Sequence, residues 1–326
     1  MNQHLLLHTF AKGLLLLTAA LVAVGPNFRI SNMLDGGANR DAVRPAVAYN
    51  STANEYLVVW HGDGGGLAID DDEIFGQRVS ATGQALGPNF RISNMRDGGA
   101  GRDAGFPAVA YNSASNEYLV VWRGDGGGLA DDDFEVFGQR VSAAGVEVGA
   151  DFRISNMTDG GALRDAGTPD VVYNSASNEY LVVWHGDGGG LADEDSEIFG
   201  QRVNAGGVEV GTDFRISNML DGGVGRAAFT PRIGYNSTAN EYLVVWLGDG
   251  GGLADDDFDV FGQRVSAAGA EVGADFRISN MRDGGAGRDA PSFVDLVYNS
   301  MANEYLVVWR GDGGGLADDD FEIFGQ

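Results

Sequence analysis

The sequence contains no cysteine, which excludes disulfides, thiolate metal sites and cysteine nucleophiles. Basic residues are scarce: 21 Lys and Arg stand against 47 Asp and Glu, leaving a net charge of −26 and a pI near 4.2. A chain so acidic repels nucleic-acid phosphates and anionic lipid, so neither is expected as a partner, and divalent cations are the natural counter-ions. Histidine is almost absent. His4 and His8 fall near the N-terminus, and His61 and His185 share one variable slot, which leaves no histidine-based nucleophilic triad. Helical periodicity is missing throughout, and there is one long apolar run, Gly13 to Val24 behind Lys12. That run is short for a spanning helix and suits a signal-peptide core, so residues 1–24 are expected to be a signal peptide or a retained N-terminal anchor. The chain is then expected to be secreted or held at the cell surface, with no other helical membrane insertion.

What is abundant is repetition. The string EYLVVW ends at Trp60, Trp122, Trp184, Trp246 and Trp309, spacings of 62, 62, 62 and 63 residues. Self-similarity at a fixed period decides architecture before any single residue is interpreted. With 44% hydrophobic residues the repeats can build a packed core, so residues 25–326 are expected to form a single domain of five repeats.

The second copy shows the unit. Pro107–Tyr111 is short and apolar, Asn112–Asn116 is a turn-rich connector, and Glu117–Trp122 is β-branched and aromatic, as a buried strand requires. A long polar loop follows. Glu135–Ser142 reads as a third strand, Ala143-Ala144-Gly145 as a tight hairpin turn, and Val146–Ser155 as a fourth strand. Four antiparallel strands per repeat predict an all-β fold, a five-bladed β-propeller, with a β-solenoid the less favoured alternative. The chain opens with Phe28–Ser31, a fourth strand without its own three, and stops at Glu322–Gln326, a third strand without a fourth. The N-terminal strand is therefore expected to complete the last blade and close the ring, removing two edges. Strand parity puts both long loops of every repeat on one face, where function is expected.

The long loops are rich in carboxylates. In each copy an Asp follows the Trp by three residues, an acidic pair comes next, and another carboxylate opens the third strand. The sets are Asp63, Asp70, Asp71, Glu73; Asp125, Asp132, Asp133, Glu135; Asp187, Glu194, Asp195, Glu197; Asp249, Asp256, Asp257, Asp259; and Asp312, Asp319, Asp320, Glu322. Triple glycine lets the first Asp fold back towards the others. Flexible oxygen ligation of this kind suits Ca²⁺, with a solvated acidic rim as the competing explanation. The blade-to-blade loop repeats an Asp (Asp35, Asp97, Asp159, Asp221, Asp283) and an Arg five residues on (Arg40, Arg102, Arg164, Arg226, Arg288), which suits loop-to-loop pairing. The recurring Trp residues are expected between blades, and Met33, Met95, Met157, Met219 and Met281 as loop anchors. The slot after each Trp holds His61, Arg123, His185, Leu247 or Arg310, and its variation predicts exposure. Arg-Gly-Asp arises twice there, at Arg123 and Arg310, as drift beside a constant Gly-Asp.

At EYLVVW, IFGQRVSAAG and DFRISN the chain resembles the tandem repeats of secreted bacterial β-propellers, over nearly everything after the leader. More distantly it is similar to FG-GAP (integrin-α-type) blades through Phe75-Gly76, Phe137-Gly138, Phe199-Gly200, Phe261-Gly262 and Phe324-Gly325. The Asp spacing departs from that family's D-x-D-x-D-G, and the acidic loop precedes the Phe-Gly pair. The resemblance implies extracellular binding or scaffolding and no defined reaction. The expectation is thus a non-catalytic, calcium-binding interaction module whose partners are divalent cations and also glycans or cell-surface proteins. The alternative is a lectin-like propeller with one glycan site per blade. A glycoside hydrolase is less favoured, because near-identical copies supply equivalent carboxylates while acid–base hydrolysis needs two in different environments.

Overall fold

EYLVVW is a continuous apolar run because both faces of its strand are covered. In the computed structural model the second strand of each of the three middle blades lies between neighbouring blades, so alternate side chains enter two different interfaces. Tyr118, Val120 and Trp122 pack with Leu57, Val59, Ile74 and Ile92 of the preceding blade. Leu119 and Val121, one residue out of phase, pack with Tyr180, Val182 and Trp184 of the following one. The core is thus a series of seams between blades, and Trp122, Trp184 and Trp246 are fully buried in them.

The structure describes residues 26–33, 41–64, 67, 72–95, 103–126, 129, 134–157, 165–187, 191, 196–219, 227–249, 258–280, 292–312 and 321–326. Residues 1–25, which include the expected leader, lie outside it. No described helix is long and apolar enough to cross a membrane. The strands are β1 Ala42–Asn50, β2 Glu55–Gly62, β3 Glu73–Ser80 and β4 Phe90–Arg91 in blade 1, then β5 Ala104–Asn112, β6 Glu117–Gly124, β7 Glu135–Ser142 and β8 Glu147–Arg153 in blade 2. Blade 3 holds β9 Ala166–Asn174, β10 Glu179–Gly186, β11 Glu197–Asn204 and β12 Glu209–Arg215. Blade 4 holds β13 Ala228–Asn236, β14 Glu241–Gly248, β15 Asp259–Ser266 and β16 Glu271–Arg277, and blade 5 holds β17 Ser292–Asn299, β18 Glu304–Gly311 and β19 Glu322–Gly325. Every sheet is an antiparallel meander in chain order, and the five together make a five-bladed β-propeller.

Short-range chemistry sets the turns. Asn112 Oδ1 accepts from the Ala114 and Ser115 N–H groups at 2.8 and 3.1 Å, and Asn116 takes a left-handed φ of 56°, which closes β5 onto β6. Gly145, at φ 78°, permits the β7–β8 hairpin in which Ser142 N donates to Val146 O at 2.8 Å. Arg140 pairs with Glu117 at 2.7 Å and reaches the Gly206 carbonyl of the next blade at 3.2 Å.

The N-terminal segment lies where a fourth strand preceding blade 1 belongs. Ile30 packs against Trp60 and Val58 as Ile92 packs against Trp122 and Val120, and Asn32 N donates to Asn89 Oδ1 at 2.7 Å. Among the described residues its hydrogen-bond ladder onto β19 is not present, and the sheet of blade 5 has three strands.

Candidate functional site

The innermost strands β1, β5, β9, β13 and β17 line an axial channel, and their first halves enclose a cavity of about 460 Å³ at the long-loop end. Each inner strand is distorted there. The pairing registers of β1, β5, β9, β13 and β17 with their neighbours all shift at this point, and Arg44, Phe106, Thr168, Thr230 and Phe293 adopt φ between 40° and 60°. A left-handed φ is an outlier for a β-branched residue, so Thr168 and Thr230 hold strained backbone against the cavity.

At this level the repeat breaks. The position four residues before the strand-ending Asn is Ala46, Ala108, Asp170, Arg232 and Asp295 in successive blades. Blades 3, 4 and 5 therefore place acid, base and acid side by side around the channel. Asp170 is half-buried; its Oδ1 accepts from Val171 N at 2.9 Å and its Oδ2 from Ile233 N of blade 4 at 3.0 Å. Burial raises the Asp170 pKa, opposed first by Arg232 and then by those two N–H groups, while Asp295 adds to the rise. Asp295 is exposed, with its Oδ1 accepting from Leu296 N at 2.8 Å. Asp170 lines the cavity and Asp295 stands at the same register position in blade 5, so the two carboxylates occupy different environments.

The surrounding wall is aromatic and polar. The Arg44 guanidinium sits 4.0 Å above the Phe106 ring, and Phe293 is 77% exposed towards solvent. Thr230 lines the cavity, and its Oγ1 is a buried atom without a hydrogen-bond partner. Thr168 Oγ1 lies 2.6 Å from His185 Nδ1. Burial, and secondarily Arg123, lowers the His185 pKa to about 4, so the imidazole is neutral and Thr168 is held by an uncharged partner.

The slot after each Trp is not exposed. His61 and Leu247 are buried, His185 stacks edge-on against Phe229, and Arg123 lies 3.5 Å over Phe134. Variation at this slot reflects different packing against the next inner strand. Asp125, the acid of the first Arg-Gly-Asp, is 1% exposed and accepts from Asp103 N at 2.7 Å.

The carboxylates expected to bind metal divide into two groups. The described ones in blades 1 to 4 are tied to backbone and hydroxyl donors. Asp63, Asp125 and Asp187 accept from Asp41, Asp103 and Asp165 N–H at 3.0, 2.7 and 3.1 Å, and Asp249 accepts from Ala227 N at 2.7 Å. Glu73, Glu135 and Glu197 accept from the hydroxyls of Ser93, Ser155 and Ser217 and from Met95, Met157 and Met219 N–H. Asp259 accepts from Ser279 Oγ at 2.6 Å; Asp312 is buried and Glu322 exposed. The acids of blades 1 to 4 anchor the blade-to-blade loops. Asp70, Asp71, Asp132, Asp133, Glu194, Asp195, Asp256, Asp257, Asp319 and Asp320 lie outside the described residues, as do the repeated loop Asp and Arg. Among the described residues no group of three or more His, Asp or Glu is placed to hold a metal ion. Met33, Met95, Met157 and Met219 are buried loop anchors, and Met281 is not described.

No protein-family model and no curated protein matches the chain. Among solved structures it is similar to the Hadza microbial sialidase Hz136, with a TM-score of 0.56 and 9% identity over 87% of this chain. The chain spans 56% of that sialidase's length. It is also similar to an N-acetylgalactosamine deacetylase from F. plautii in complex with blood group B trisaccharide (TM-score 0.51, 12% identity, 92% of this chain and 93% of that one). A third likeness is to the α-L-arabinofuranosidase Arb93A from Fusarium graminearum (TM-score 0.50, 11% identity, 92% and 97%).

At these identities the likeness is one of fold. It still corrects the expectation of a non-catalytic module and of no enzyme, because these similar solved structures are named as carbohydrate-processing enzymes. The ground for that expectation, equivalence of the carboxylates in all copies, fails at Asp170 and Asp295. Sequence reasoning passed over both residues, although the Ala, Ala, Asp, Arg, Asp series was visible in the chain.

Proposed function

We propose that the protein is a secreted glycoside hydrolase whose substrate enters the axial channel from the long-loop face. The observation that carries this is the broken repeat, which puts Asp170 and Arg232 in the wall of one cavity and Asp295 at the same register position of blade 5, next in the chain to the cavity-lining Phe293 and Val294. Glycosidic cleavage needs one carboxyl that holds a proton and one that stays ionised. Asp170, whose pKa burial raises, is the general acid that protonates the leaving oxygen. Asp295, in open surroundings, is the carboxylate that acts on the sugar or on a water at its other side. Arg232 fixes the charge between them, and Phe106 and Phe293 give apolar surface for a sugar ring. The enzyme names of the similar propellers support a carbohydrate substrate.

The test is hydrolysis of a panel of aryl glycosides and plant and host polysaccharides by the leaderless chain, with Asp170→Asn and Asp295→Asn as controls. Each variant is expected to lose at least about 10²-fold in kcat with its fold intact. Since Asp170 acts in its protonated form, kcat/KM is expected to fall as pH rises through its raised pKa. Turnover unaffected by either substitution would overturn the assignment.

Calcium at the acidic runs is a separate proposal resting on sequence pattern. Excess Ca²⁺ is expected to raise the melting temperature relative to EDTA, as a ligand at 100 times its Kd contributes about 2.7 kcal/mol. An unchanged melt would leave the runs as a solvated rim.

A further inference from the structure

In three blade seams a buried amide oxygen has no donor. Gln139, Gln201 and Gln263 are buried, and their Oε1 atoms lack any hydrogen-bond partner. Rotating the amide does not help, because each Nε2 is already committed. Gln139 Nε2 donates to Arg140 O at 2.9 Å and Gly149 O at 3.4 Å, and Gln201 and Gln263 repeat both bonds.

The first blade shows what belongs opposite. Gln77 makes the same two Nε2 bonds, but its Oε1 accepts from Asn89 Nδ2 at 2.5 Å. Asn89 in turn takes Asn32 N–H on its Oδ1 at 2.7 Å. At the corresponding place blades 2, 3 and 4 carry Asp151, Asp213 and Asp275. Each accepts the equivalent backbone N–H on Oδ2, from Asn94, Asn156 and Asn218, at 2.9, 2.9 and 2.8 Å. The other carboxyl oxygen therefore stands where Asn89 presents its amide nitrogen. Ionised, it sets oxygen against the orphaned Gln oxygen; protonated, it supplies the missing donor.

We infer that these three seams are proton-binding sites, in which the acid form of Asp151, Asp213 and Asp275 donates its O–H to Gln139, Gln201 and Gln263 of the same blade while its other oxygen keeps the N–H of the preceding blade. The surroundings favour the neutral form. Burial pushes Asp151 and Asp213 up to about 6. Glu147 and Glu73 reinforce the rise at Asp151, Glu209 and Glu135 at Asp213, while the backbone N–H bonds and Arg91 or Arg153 oppose it. The sign follows from linkage. The native carboxyl binds its proton more tightly than the unfolded one, so the contribution is complete below the unfolded value near 4 and is lost as pH rises through about 6. Seams are thus tighter in mildly acid surroundings than at neutrality.

The experiment compares the chain with its Asp151→Asn, Asp213→Asn, Asp275→Asn variant, which copies the arrangement of Asn89. With a net charge of −26, other carboxylates also make stability vary with pH, so the readout is the difference between the two proteins. At pH 7 the variant is expected to melt about 5 °C or more above the parent, and the gap is expected to close by pH 4–5. The carboxyl ¹³C resonances of Asp151 and Asp213 in the parent are expected to titrate near pH 6. The single Asp151→Asn variant gives the same comparison if the triple one folds poorly. A melting gap independent of pH, or carboxyls that titrate in the ordinary range near 4, would overturn the inference.

Discussion

Carboxylates in this protein do different work according to what faces them. Glu135 is fully buried, yet it serves the fold: it accepts the Ser155 hydroxyl and the Met157 N–H, and Ser155 Oγ in turn accepts from Val136 N at 2.7 Å. Removing it strands two buried donors at the base of a blade-to-blade loop. Glu135→Ala is expected to destabilise the chain by about 3 kcal/mol in denaturant titration, with kcat changed far less than by Asp170→Asn. Equal losses of activity from both substitutions would count against the separation of structural and reacting acids. Little of this was legible in the sequence. Glu135 and Asp125 recur in register with the acidic runs, so spacing groups them with candidate ligands, whereas their donors lie 20 to 22 residues away along the chain.

Among the elements, the second and third strands are the most constant and the inner strand is the most divergent. The reason is packing. Leu119, Val121 and Trp122 each meet a neighbouring blade, so any change must be matched across a seam. The inner strand also meets the channel, where fewer side chains must be matched across a seam, and there the Ala46 and Ala108 position becomes Asp170, Arg232 and Asp295. Blades, strands and turns were legible because a fixed period and buried β-branched runs leave few alternatives. The residues proposed to react were not, because three substitutions in a weakly constrained strand look like drift. The bulge in that strand adds a test. Thr230 holds φ at 49°, which glycine adopts without penalty. Thr230→Gly is expected to leave stability unchanged or raise it by up to about 1 kcal/mol while weakening substrate binding, since it removes a side chain from the cavity wall. Destabilisation beyond about 1 kcal/mol would mean that the strand draws packing, not strain, from Thr230.

For the molecule as a whole, one seam differs from the others. Side chains that are covered between successive blades are open where blade 5 meets blade 1. Tyr56 is 37% exposed against 0% for Tyr118, Leu306 is 52% against 0% for Leu119, and Ile323 is 72% against 0% for Ile198. An apolar cavity of about 650 Å³, lined by Val47, Tyr56 and Val58 together with Phe28 and Ile30, lies on the blade 1 side. Local opening follows the deficit of buried apolar contact, so this seam sets the lowest-energy fluctuation of the ring. Backbone amides of β17, β18 and β1 are expected to exchange with deuterium well before those of β6, β10 and β14, whose Tyr, Val and Trp side chains are fully buried. The channel shares in the consequence, because Asp295 and Phe293 stand on β17 and Arg44 on β1. A sugar bound between them would bridge the loose seam and slow exchange in β17 and β1 together, leaving β6 and β10 unchanged. Protection that instead appears evenly in every blade would point to five equivalent sites and away from a single one in the channel.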